Sequence, residues 1–205
     1  LFAYLLGLAR FFTALAALDT GSAFEGMGAA REVTFASLAE PALFLCLLVL
    51  GRATGSPSLS GMLGPALPGA WGPAAPALLL AAIALFVIAL AESSRIPVDD
   101  PSTHLELTMI HEVMVLDHGG PDLALILYGA SLKLFLFGAI LSRLVLGHAG
   151  GALRTEGLFF LGLAVFAIGV GIVESAMARL RMVRVPQLLV GAAVLSAFAL
   201  VLLLR

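Results

Sequence analysis

The sequence predicts an all-α fold, a polytopic bundle of six transmembrane helices. Three observations predict it. First, 61% of the 205 residues are hydrophobic and only 12% are charged. Counted with Gly and without Tyr, the apolar share is about 70%, against about 45–50% in a soluble domain, where about 25% of residues are charged. A soluble fold has no interior for that much apolar surface. A soluble enzyme, a nucleic-acid binder and a disordered tail are therefore excluded together. Second, the apolar residues gather in runs of about 20, the length a helix needs to cross a hydrocarbon core of roughly 30 Å. Third, these runs are too long for strands and do not alternate at period two. The net charge of −2 says little about partners when lipid is the main solvent.

The first span is Leu1–Leu18, interrupted by Arg10. The second runs from about Ala30 to Leu50, the third from Ala74 to Ser94, and the fourth from Leu123 to Leu146 with Lys133 inside it. The fifth is Gly157–Arg179 and the sixth Val185–Leu204. Between the first two, Asp19–Gly28 reads as a Gly-rich turn, and Gly51–Pro73 as an irregular loop rich in Gly, Pro and Ser. Arg95–Asp122 is the longest polar segment. Within it, Ser102–Leu116 is expected to form a short amphipathic helix, capped by Ser102 or Thr103 and closed by Gly119 and Gly120. Gly147–Glu156 and Arg179–Pro186 are short connections.

The chain opens on Leu inside an apolar run, with no basic start and no small-residue cleavage site. It is expected to be an N-terminally truncated piece of a longer protein. Arg31, Arg95, Arg179, Arg181 and Arg184 fall on one side, against Arg52, Arg154, Arg205 and, counted with them, Arg143 on the other. That excess predicts a cytoplasmic location for the first–second, third–fourth and fifth–sixth connections. No internal repeat of the transporter kind is visible.

An ionisable side chain inside a span is costly and marks a functional site by default. Glu40 lies roughly 10–15 Å from the cytoplasmic end of the second span at 1.5 Å per residue. Pro41 follows it and frees a backbone carbonyl one turn earlier. Such a carboxyl suits a proton relay or a pair with a neighbouring helix. Lys133, the one lysine in the chain, is too deep to snorkel. Either it pairs with a carboxylate, Glu40 being the candidate by depth, or it lines a wet cavity. Glu92 ends the third span, where Arg95 three residues on can offset the unfavourable helix dipole. Glu174 stands toward the cytoplasmic end of the fifth span, before Arg179, Arg181 and Arg184. Together Glu40, Glu92, Glu174 and Lys133 outline a polar path from the cytoplasmic surface to mid-bilayer, with Arg10 a further candidate.

Other constellations fail. His111-Glu112 lacks a second His at the spacing of a zinc motif, since the next is His118. Gly26-Met27-Gly28 follows no strand and lacks a third glycine. Cys46, the single cysteine, reads as a small buried hydrophobe and cannot hold an iron–sulfur cluster or structural zinc.

The segment ESSRIPVDDPSTHLELTMIHEVMVLDHGG, Glu92 to Gly120, resembles the long cytoplasmic loop of the NADH dehydrogenase subunit 1 family of complex I. Its core is Glu92-x-x-Arg95-x-Pro97-x-Asp99, leading to Glu106. Arg31 and Glu40 stand nine apart, as in the family's R-x8-E segment, and RVPQLL from Arg184 resembles the basic loop before the last span. The three matches occur in family order and cover nearly the whole chain. THLELTMIHEVMVL and YGASLKLFLF are similar to the hydrogenase-linked branch, that of formate hydrogenlyase subunit 4 and hydrogenase-4 component C. Asp117-His118-Gly119-Gly120 departs from the family's usual E-Y-S-G ending. The family has about eight spans, so the six here would be its last six.

The resemblance implies one membrane domain over residues 1–205, in the cell (inner) membrane, with residues 95–122 docking a peripheral redox arm. Glu40, Glu92 and Glu174 would be the buried carboxylates that start a proton path, joined by Lys133. Arg31, Arg95, Asp99, Glu106, His111, Glu112 and Arg184 would order the loop and dock the arm. The chain would be a non-catalytic subunit without its own cofactor. Hydrogenase large and small subunits and iron–sulfur subunits would carry Ni-Fe and iron–sulfur centres, beside antiporter-like membrane subunits. The expected role is coupling electron transfer to proton movement. Three rivals are a subunit of quinone-reducing NADH dehydrogenase, a stand-alone cation/proton transporter and a passive anchor.

Overall fold

A computed structural model describes residues 1–99, 109–148 and 151–204. Glu106, Arg205, the expected cap at Ser102 or Thr103, and the first half of the expected amphipathic helix lie outside the described residues. The helices are α1 (Phe2–Asp19), α2 (Ala23–Thr54), α3 (Leu59–Met62), α4 (Leu67–Glu92), α5 (Gly120–Leu146), α6 (Ala152–Ala176) and α7 (Val185–Leu204). All but α3 are long and apolar enough to span a bilayer. Among the described residues there is no strand. The protein is an all-helical, multi-pass membrane protein.

α7 has the bounds its sequence predicts. Others start earlier. The turn after α1 is only Thr20–Ser22, with Gly21 at φ +69°, and α2 begins at Ala23. Gly26 and Gly28, expected in a turn, are helical. Gly28 is needed for close approach: a Cβ there would collide with Val113 Cγ1 and sit 3.0 Å from the Ile110 carbonyl. The irregular loop also shrinks. Gly55, left-handed at φ +71°, ends α2, and α4 starts at Leu67 with Pro68 in its first turn. Pro73 and Pro76 are carried inside α4, where buried Leu67, Ala70 and Ala74 hold the segment in register. Tertiary packing overrides the local punctuation.

α4 is the central helix. Ala74, Ala77, Leu78, Ala81, Leu85 and Ile88 are buried against α2, α5 and α7. Small residues along this face let helix backbones approach where lipid supplies no hydrophobic drive between helices. Cys46 of α2 is 1% exposed and its thiol donates to the Ala81 carbonyl at 3.7 Å. α5 and α6 form a hairpin, with Gly138 against Phe166, Gly162 against Ser142, and Ser142 Oγ donating to the Phe159 carbonyl.

α4 ends while its neighbours continue. Ser94 at φ +51° closes it, with the Arg95 N–H donating to the Leu90 carbonyl. Arg10 of α1 contacts Glu92 at that end, yet α1 runs on for nine residues, about 14 Å. The loop fills the recess this leaves. Val98, Asp99, Met109, Ile110, Val113, Met114 and Val115 are all buried. The expected amphipathic helix fails here: from Met109 the chain is a bend and a 3-10 turn, Glu112–Val115. Burial of consecutive residues requires surroundings on several sides, which one face of a surface helix lacks.

Candidate functional site

Arg10 stands at the centre of a charge cluster that is mostly buried, Glu40 being its most exposed member. It sits near the middle of α1, 7% exposed, and three carboxylates from two other helices surround its guanidinium. Nη2 donates to both Glu92 oxygens, at 2.6 Å to Oε2. Nη1 donates to Glu40 Oε1, and Nε lies 3.4 Å from Glu32 Oε1. Lys133 Nζ of α5 approaches Glu92 Oε2 at 3.8 Å. Four helices thus contribute two cations and three carboxylates. Fully ionised, the five groups carry one net negative charge, and one bound proton neutralises them.

Local structure places each member. Glu32 and Glu40 are eight residues apart on α2 and face α1 together. Glu40 lies about 26 Å from the start of α2 at 1.5 Å per residue, because α2 begins at Ala23 rather than near Ala30. Glu92 sits at the C-terminus of α4, where the helix dipole disfavours a carboxylate; Arg10 and Lys133 offset this. The expected partners are exchanged: Lys133 meets Glu92 rather than Glu40, and Arg95 leaves Glu92 for Glu174 at 3.3 Å. Glu174 therefore stands apart, in a half-exposed pair at the end of α6.

A second cluster lies in the loop. Asp99 Oδ2 accepts the N–H groups of Ile110 and His111, both at 3.0 Å, and Oδ1 is 3.1 Å from Arg179 Nη2. The Leu180 N–H donates to the Pro97 carbonyl, tying the α6–α7 connection to the same segment. Arg31 donates to the Met109 carbonyl at 2.9 Å. Glu112 opens the 3-10 turn, and Arg184 is exposed just before α7. Burial pushes the His111 imidazole down to about 4; nearby Lys133 acts the same way and Asp99 opposes it. Its Nε2 is buried without a hydrogen-bond partner among the described residues. A cavity of about 10 Å³, the lower limit for one water, is lined by Glu32, Glu92 and Asp99 and lies between the two clusters. Among the described residues no group of His, Cys, Asp and Glu side chains is placed to hold a metal ion.

The sequence reading missed Glu32 and Glu25 and undervalued Arg10. With the second span begun at about Ala30, Glu25 falls in the turn Asp19–Gly28 and Glu32 stands only two residues inside the span. Glu25 is instead fully buried and accepts the Asp117 N–H at 2.8 Å. The spacing of seven and eight from Glu25 through Glu32 to Glu40 was the available signal, since it sets all three on one helix face.

Formate hydrogenlyase subunit 4 of Escherichia coli (strain K12) is 30% identical over 192 residues, covering 90% of this chain and 61% of that protein. Hydrogenase-4 component C of the same organism is 37% identical over 145 residues, covering 70% of this chain and 44% of that protein. The chain thus spans about three fifths or less of the length of these relatives. The NADH dehydrogenase family model matches residues 1–205, and the chain, membrane-spanning throughout and similar to subunits of hydrogenase complexes, belongs to that family.

Proposed function

We propose that this chain is a membrane subunit of a complex-I-like, energy-converting hydrogenase of the formate hydrogenlyase or hydrogenase-4 type. It anchors a redox arm at the loop face and couples electron transfer to proton translocation across the cell (inner) membrane. One observation carries this reading: three carboxylates, Glu92 buried, Glu32 mostly buried and Glu40 partly exposed, share two cations, and Glu32 and Glu92 line a water-sized cavity together with the loop carboxylate Asp99. Such a cluster has room for one exchangeable proton and a contact to the segment that a docked arm would push.

In this mechanism the arm bears on the loop that includes Arg95–Asp99 and Met109–Asp117, on the cytoplasmic side. A shift of Asp99 relative to Arg179 changes the field at Glu32 and Glu92 across the small cavity. Arg10 then redistributes among its three carboxylates, and one of them takes or releases the proton. Glu92 stands beside both Arg10 and Lys133, whereas among the described residues Glu40 and Glu32 each form their ion pair with Arg10. Iron–sulfur and Ni-Fe centres reside on partner subunits, beside antiporter-like membrane subunits.

The test is proton translocation by the assembled, full-length complex in vesicles. Glu40→Gln and Lys133→Ala should each lower proton movement per electron transferred while the arm remains bound. Unchanged proton movement in both would sink the coupling role and leave an anchor. The family match alone favours a second reading, a subunit of a quinone-reducing NADH dehydrogenase; a quinone requirement in the purified complex would decide for it.

A further inference from the structure

A second site lies away from the charge cluster, in a cleft of about 430 Å³ between α5 and α6. That volume is in the range of small-molecule sites, roughly 300–1,000 Å³. Its walls are mostly apolar, with Phe135 from α5 and Leu163, Phe166 and Val170 from α6; the one hydroxyl in the lining, Ser131, donates back to the Leu127 carbonyl of its own helix. Its mouth is not. Arg95 and Glu174 stand there, 37% and 29% exposed, joined by one hydrogen bond of 3.3 Å from Nη1 to Oε1. A guanidinium has five N–H donors and a carboxylate two oxygens, so both groups keep capacity toward the opening. A neighbouring cleft of about 400 Å³, lined by Ile83, Phe86, Val145 and Val165, has no charged side chain in its lining.

From this geometry we infer that the α5–α6 cleft binds a zwitterionic phospholipid with a primary ammonium head group. The phosphate sits on Arg95 and the ammonium on Glu174, with one acyl chain along the apolar walls. Three features fit that occupant. Glu174 lies two residues from the end of α6, at the level of the head groups. From Glu174 to Leu163 the cleft runs eleven residues down α6, about 16 Å, which is the depth of one leaflet of a core of roughly 30 Å. A partner helix would instead need a groove through both leaflets. The paired charges select the head group: an anionic lipid satisfies Arg95 but meets Glu174, and a quaternary ammonium cannot donate a hydrogen bond to the carboxylate. The C-terminal carbonyls of α6 further favour a cation beside Glu174.

Gly171 offers a variant that tests the cleft without touching the ion pair. It lines the cleft, and a Cβ added there meets nothing within 4 Å. Leu also favours the helix over Gly, so Gly171→Leu should fold and plug the cleft. The experiment uses the full-length protein in its native complex, extracted in mild detergent and exposed to equimolar phosphatidylethanolamine, phosphatidylglycerol and phosphatidylcholine. Retained lipid is counted per complex by mass spectrometry. Phosphatidylethanolamine should be retained in excess. Gly171→Leu should abolish the excess, and Arg95→Gln and Glu174→Gln should each reduce it about tenfold, the loss of one charge-assisted hydrogen bond. Retention that ignores the head group, a preference for phosphatidylglycerol, or an unchanged excess in Gly171→Leu would each overturn the site. So would cross-linking of Gly171→Cys to another protein subunit.

Discussion

Arg10 Nη2 lies 2.6 Å from Glu92 Oε2, joining the middle of α1 to the end of α4 across 82 residues of sequence. The pair is almost fully desolvated, with Glu92 only 3% exposed at its side chain. Removing one partner of such a pair leaves a buried charge uncompensated. Arg10→Met should therefore cost about 3–5 kcal/mol of stability. Thermal unfolding of the full-length protein in detergent measures it. Adding Glu92→Gln to Arg10→Met should recover part of the loss, because fewer unpaired charges remain; additive effects of the two changes would contradict a direct pair.

Lys133 offers a test of partner choice. A double-mutant cycle between Lys133→Met and Glu92→Gln should show coupling of about 0.5–3 kcal/mol, the range for residues in direct contact. The cycle between Lys133→Met and Glu40→Gln should be smaller. The reverse order would restore the pairing that depth alone suggested. Arg95 with Glu174, half exposed, should couple by about 1 kcal/mol or less.

Gly28 is the contact point between α2 and the loop. An added methyl would collide with Val113 Cγ1 and stand 2.9 Å from Met114 Cγ, while the Ile110 carbonyl is fixed backbone at 3.0 Å. Gly28→Val should cost about 1–3 kcal/mol by overpacking. The loss should be local: hydrogen exchange in residues 109–118 should speed up while the α4 amides stay protected. Uniform protection across the variant would show that the loop yields without undocking.

His111 gives the docked loop a pH dependence of definite sign. Its imidazole titrates near 6.5 when exposed and at about 4 when buried in place. Between these values the undocked loop binds more protons than the docked one, so docking weakens as pH falls from about 6.5 toward 4. Above that window the contribution is fully retained. Limited proteolysis of residues 109–118 across this range should rise with acidity in the wild type, and His111→Phe should flatten the trend.

Much of the fold was legible because the bilayer imposes a length. Val185–Leu204 is a span at its stated bounds, since an uninterrupted apolar run admits little else. Boundaries failed where Gly and Pro were read as turn signals. Gly28 serves a close approach to Val113, and Pro73 and Pro76 ride inside α4; both depend on neighbours that local sequence does not reveal. The 3-10 turn at Glu112–Val115 replaced an expected helix because its residues are enclosed from several sides.

The charged residues divide along the same line. Lipid makes an ionisable group in a span expensive, so Glu40, Glu92 and Lys133 stood out from the sequence alone. Their partners did not. Depth along a helix is a one-dimensional coordinate, whereas pairing depends on which face each helix presents and where its neighbours end. Only the tertiary structure placed Arg10 against Glu32, Glu40 and Glu92, moved Arg95 to Glu174 and set Lys133 beside Glu92. Sequence settled that buried charge exists in these spans, because hydrophobicity is a local sum. Packing of α1, α2, α4 and α5 decided who neutralises whom, because Coulomb energy at a few ångströms depends on positions that 82 residues of intervening chain leave free.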